Sequence, residues 1–201
     1  MTRPVGRAAL LLALLFTAAA GLARAAFPRP AAPVDPALAA FGFAACPLPC
    51  WAGVEVGRTP FDRAGAQIAA ALTVPHQQVT ISGDRLVVSA LAEDPASSAA
   101  PFTAQIGHSG GLVGALRLRV TLPLIGLIDR LGPPTCGRSG RGVELIWLMA
   151  RGAETIGVTA ALDRARPDGT VSELGIAPAD ADCAASGAHP WRGFGPNWLY
   201  R

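Results

Sequence analysis

Five consecutive residues carry the clearest chemical spelling in this chain. Gly107-His108-Ser109-Gly110-Gly111 fits G-x-S-x-G, the strand-to-helix turn that holds a serine nucleophile outward in α/β-hydrolases. Such a serine needs a base to take its proton and an acid to orient that base. In chain order, Asp163, Asp168, Asp180 or Asp182 followed by His189 supplies both. A secreted serine hydrolase using Ser109 and His189 is therefore one reading of the chain. The spelling also needs its context, a strand before it and a helix after it. Here the segment after the motif alternates as a strand, and the repeated βα units of a hydrolase are absent. A glycine-rich hairpin turn accounts for the same five residues.

Other reactive side chains are sparse. Cys46, Cys50, His76, His108 and His189 stand at no recognisable metal-ligand spacing, because Cys-x3-Cys has no second paired ligand near it. No metal and no cofactor is expected. Every basic side chain is arginine, which excludes lysine-dependent catalysis. The carboxy-terminal run places Trp191, Phe194, Trp198 and Tyr200 among Gly193, Gly195 and Pro196. These rings can stack on a sugar or anchor a protein partner, or they can fold back over an edge of the core. They are the candidate binding residues.

The compartment is read from the amino terminus. Arg3 and Arg7 precede an apolar run that ends in Ala23-Arg24-Ala25, the small-x-small pattern of a cleavable signal peptide. Residues 1–25 are expected to be removed, and the protein to be secreted or held in the cell envelope. A membrane anchor results only if that segment stays uncleaved. The 17 basic residues of the chain include Arg3, Arg7 and Arg24, so the mature chain balances its 14 acids and the formal charge of +3 belongs to the leader. A near-neutral chain without a clustered basic patch is not a nucleic-acid binder. In an exported chain four cysteines read as two disulfides, and of the three possible pairings Cys46 with Cys50 and Cys136 with Cys183 is favoured.

The elements that would position these residues follow from periodicity and punctuation. Residues 26–45 are rich in Ala and Pro and read as a linker, with a short docked helix near 37–43 as the alternative. Order is expected from Cys46. Thr59-Pro60-Phe61-Asp62 predicts a helix capped by Thr59, with Phe61, Ala64, Ile68 and Leu72 on its buried face. Residues 77–81 and 85–91 predict a hairpin around Ser82-Gly83-Asp84, and 102–106 with 112–120 a second pair. Thr121 is expected to cap a second helix carrying Leu124, Leu127, Ile128 and Leu131, stopped by Gly132-Pro133-Pro134. Strands over 143–149, 155–162 and 171–176 complete the series. Helix, strands, helix, strands predicts an α+β fold, two helix-plus-antiparallel-sheet units in a single domain over residues 46–201.

One stretch adds a likeness. Pro49-Cys50-Trp51-Ala52-Gly53-Val54-Glu55-Val56-Gly57-Arg58-Thr59 resembles the P-C-W-x-G-I-x-P-G-x-T motif of uncharacterised bacterial cell-envelope proteins of the Chloroflexi type. Leu131-Gly132-Pro133-Pro134 is similar to the L-G-x-P that ends their second helix, and Trp191-Arg192-Gly193-Phe194 to a closing W-x-G-F. More distantly, the unit from Gly-x-Thr to Leu-Gly-x-Pro resembles the SmpA/OmlA (BamE-like) fold. Val54 and Val56 depart from the motif's Ile and Pro, and Cys136 from its usual polar residue. The resemblance implies a fold and an envelope location, with no activity to carry over. The expectation is thus a non-enzymatic envelope or extracellular module that contacts an unknown protein or polysaccharide.

Overall fold

Leu112–Pro123 alternates apolar and polar side chains along most of its length, the pattern of a strand with one face in a core and the other in water. Leu116, Leu118, Val120 and Leu122 are buried, whereas Arg117, Arg119 and Thr121 are exposed. Around this strand the protein, seen in a computed structural model, builds one antiparallel sheet. The structure describes residues 39–72, 77–82, 84–90, 102–140, 142–164 and 166–194. The chain divides into two compact units, Met1–Pro33 and Val34–Arg201, and every described residue belongs to the second. The expected leader, and the linker before residue 39, lie outside the described residues.

The strands are β1 (Gln77–Ser82), β2 (Arg85–Ala90), β3 (Phe102–Ser109), β4 (Leu112–Pro123), β5 (Cys136–Ser139), β6 (Val143–Arg151), β7 (Glu154–Leu162), β8 (Thr170–Pro178) and β9 (His189–Pro190). Their order across the sheet is β1-β2-β3-β4-β8-β7-β6-β5-β9. The first four strands form a meander. Helix α2 (Leu124–Leu131) then leads to β5, and a second meander runs back until β8 pairs with the free edge of β4. Helix α1 (Phe61–Ala71) precedes the first meander.

The expected pair of helix-plus-sheet units is therefore corrected to one nine-stranded antiparallel sheet with, among the described residues, two short α-helices. Ile68 of α1, Leu124 and Leu127 of α2 and the inward residues of β2, β3, β4, β6, β7 and β8 all belong to one hydrophobic cluster. The physical reason lies in β4. Two separate units would leave the long edges of β4 and β8 with unpaired backbone groups, and joining those edges removes both.

Local details differ from expectation in ways the hydrogen bonds explain. Thr59 does not cap α1, because its Oγ1 accepts the Glu55 N–H at 2.8 Å and staples the preceding turn. Thr121 lies inside β4, and the first N–H of α2, from Leu124, is taken by the Gly169 carbonyl at 2.9 Å. Order also begins before Cys46. The kinked turn Ala39–Phe43 puts Phe41 and Phe43 into the core, where Phe41 stacks on Phe102 at 5.3 Å. Trp51 is wholly buried against Phe102 and donates its indole N–H to the Phe41 carbonyl at 2.8 Å. Arg130 of α2 donates to the Phe43 carbonyl at 3.0 Å, so the segment is held from both sides.

Candidate functional site

The sequence motif with the strongest chemical spelling is a turn. Ser109 pairs with Leu112, and between them Gly110 (φ 58°) and Gly111 (φ 79°) make a two-residue hairpin loop. Positive φ at both central positions is what such a loop requires, and glycine adopts it without strain. The same turn serves packing. The Gly111 carbonyl accepts the Phe61 N–H at 2.9 Å, and Val113 exchanges backbone bonds with Gly57 and Thr59 at 2.7 and 2.8 Å. His108 rests against the Phe61 ring at 4.8 Å.

Ser109 and His189 are not brought together. Ser109 ends β3 and His189 begins β9, and β4, β8, β7, β6 and β5 lie between those strands. Six strand spacings amount to about 29 Å along the sheet. Asp163 and Asp168 are exposed between β7 and β8, and Asp180 and Asp182 in the segment after β8. Asp182 accepts the Ala184 N–H at 3.1 Å. The aromatic tail divides. Trp191 is half-buried against the core and its backbone N–H bonds the Thr135 carbonyl at 2.9 Å, whereas Phe194 is exposed and meets Trp191 edge-on at 5.2 Å. His76, Trp198 and Tyr200 lie outside the described residues. No group of three or more His, Cys, Asp and Glu that could hold a metal occurs among the described residues.

Both expected disulfides form, Cys46–Cys50 and Cys136–Cys183. The second shapes the candidate site. After β8 the chain turns back over the sheet face opposite the main core: Ala179 closes over Gly157, and Cys183 reaches Cys136 on β5. Cys136, Ile146, Cys183 and Ala188, with Leu148 beside them, form a second small cluster on that face. This explains why 143–149 reads as a nearly continuous apolar run: β6 is covered on both sides.

Beyond this covered end, the described residues of the outer face form a trough of about 460 Å³. Strand register assigns its parts. Gly107 pairs with Ala115 across β3 and β4 and Gly157 with Ala177 across β7 and β8, while Thr159 lies over Gly175 and Ala179 over Gly157, so the open part of the floor is Gly107 and Ala115. Gln105 and Arg117 face each other on β3 and β4, and Arg85 on β2 stands directly across from Gly107. A Cβ at Gly107 would meet nothing within 4 Å among the described residues, so the surface beside Arg85 is open there.

The charges on this face are arranged in pairs. Glu173 faces Arg117 at 3.3 Å and Arg119 at 3.9 Å. Arg138 donates to the Glu144 carboxylate at 2.9 Å and to the Ser186 carbonyl at 2.9 Å, tying the 179–188 segment to β5 and β6. Arg85 makes no ion pair among the described residues. Sequence reasoning missed the trough because its floor residues sit on four strands and are silent one at a time. The signal was present in the outward positions of β3, β4, β7 and β8, which carry Gly and Ala where an exposed strand ordinarily carries larger polar side chains.

No family model, curated protein or solved structure matches the chain, so the site is read from its own geometry.

Proposed function

We propose that this protein is an exported, non-enzymatic envelope or extracellular module, and that it contacts a protein or polysaccharide partner through the outer face of its sheet. The observation that carries this reading is the trough itself. One face of the sheet closes a full core with α1, α2 and the Trp51 segment, while on the other the described residues leave a trough lined with hydrogen-bonding side chains. Its volume falls in the range of about 300–1,000 Å³ usual for ligand sites. Export agrees with the two disulfides and the leader pattern, and no helix among the described residues is long and apolar enough to cross a membrane. Nothing in the placement of Ser109 or His189 supports hydrolysis by that pair.

The test uses protein produced by export, so that both disulfides form, screened against a glycan array and against purified envelope proteins. Ala115→Glu fills the floor of the trough from an exposed position. A ligand bound by the native protein and lost in that variant supports the reading. Ligands that bind equally to both proteins would move the contact elsewhere and overturn it.

A further inference from the structure

We infer that the ligand of the trough is an acidic polysaccharide, a chain of uronate sugars whose carboxylates are held by Arg85 and Arg117. The inference rests on the trough being the binding site and names what binds there.

Three observations select this chemistry. First, the site is a sheet face and not a sheet edge. β3, β4, β8 and β7 are paired on both sides, so a peptide cannot dock by adding a strand, and recognition falls to side chains. Second, those side chains are of the kind that hold sugars. Arg85, Gln105 and Arg117 present hydrogen-bonding groups around Gly107 and Ala115, where small side chains let a flat ring lie close to the backbone, while Thr159 and Ala179 cover Gly175 and Gly157 at the other end. Ile106, Leu116 and Ile176 also line the trough but are buried in the core on the other face, so the described residues offer a protein partner no deep apolar pocket for an anchoring residue in the Arg85 half.

Third, the charge balance is uneven along the trough. Glu144 is matched by Arg138, and Glu173 is matched by Arg117 and Arg119 together. Arg85 adds a further positive charge to the lining and makes no ion pair among the described residues, its chain neighbour Asp84 lying outside the trough, and Arg117 keeps a side chain that is 63 % exposed. Both line the trough, Arg85 directly across from Gly107 and Arg117 across from Gln105. A carboxylate bound there can take the two parallel N–H donors of a guanidinium fork, the arrangement in which arginine binds carboxylates best.

The experiment is calorimetric titration of the exported full chain with galacturonate oligosaccharides, their methyl esters, polyglutamate and polyphosphate. Binding to the galacturonate oligomer is expected, with a loss of at least about tenfold on esterification, since that removes the charge-assisted bonds and leaves the sugar rings. Arg85→Ala should weaken the acidic oligomer about tenfold and leave the thermal midpoint unchanged, because Arg85 is exposed and unpaired among the described residues. Tighter binding of polyphosphate or polyglutamate, equal binding of acid and ester, or an Arg85→Ala variant of native affinity would each overturn the inference. If no acidic glycan binds while some other ligand is lost in Ala115→Glu, the inference falls and the trough remains the binding site.

Discussion

Removing the two disulfides one at a time should have unequal consequences. Cys136–Cys183 closes a loop with a sequence separation of 47, whereas Cys46–Cys50 spans only 4. In the chain-entropy model a cross-link restricts the unfolded chain by an amount that grows with the logarithm of loop length. The longer loop gives about 4 kcal/mol and the shorter about 2 kcal/mol. Alanine at both positions of a pair is the suitable change, because Cys136 and Cys50 are buried and serine would bring in a hydroxyl without a partner. With a urea dependence of about 2 kcal/mol per molar, the midpoint should fall by about 2 M for the Cys136/Cys183 double variant and about 1 M for Cys46/Cys50. The assay is equilibrium urea unfolding followed by tryptophan fluorescence, for which buried Trp51 and Trp147 provide the signal. Only the first variant should also lose ligand affinity, since Cys183 anchors the 179–188 wall of the trough. Equal midpoint losses, or a larger loss for Cys46/Cys50, would refute the loop-length reasoning.

Trp51→Phe keeps a ring against Phe102 but removes the donor to the buried Phe41 carbonyl, and should lower stability by about 1–3 kcal/mol in the same urea assay. A loss below about 0.5 kcal/mol would mean that this bond does not hold the amino-terminal segment. Ser109→Ala should leave stability within about 0.5 kcal/mol of native, as expected of an exposed site. A fluorophosphonate probe analysed by peptide mass mapping should label neither protein at position 109, and labelling there would contradict the separation of Ser109 from His189.

Much of the fold is legible residue by residue. Alternation locates β1 to β4 and β6 to β8 to within a few residues, and glycine places the hairpin at 110–111, because one-sided burial and turn sterics act locally. What periodicity does not encode is which strand lies beside which. The partner of β4's second edge is β8, some fifty residues later, and an alternating pattern states the buried face without naming the neighbour. Hence the two sets of strands read as two units. β5 and β9, four and two residues long, are too short for any period to emerge. The two threonines misread as caps show a competing demand: Thr59 is taken by the turn before α1, and the extended backbone of β4 runs on to Pro123. In the aromatic tail, the folded-back reading fits Trp191, while Phe194 remains exposed.

The error in topology and the blindness to the trough have the same origin. Arg85, Gln105, Gly107, Ala115 and Arg117 come from the first meander, and Thr159, Gly157, Glu173, Gly175 and Ala177 from the second. The seam between β4 and β8 runs through the middle of the floor, so the site exists only because the two meanders share one sheet. Exposed ion pairs such as Arg117–Glu173 contribute at most about 1 kcal/mol each. Folding does not need them, because the opposite face already closes a core from every long strand except β1. Their effect is on arrangement: Glu173 reaches from the second meander to two arginines of the first and holds their guanidinium groups at the rim. Arg138 does the same at the far end for the disulfide-anchored wall. If the proposed ligand binds here, it must lie across the strands, because the charged groups that would hold it are set on both sides of the seam.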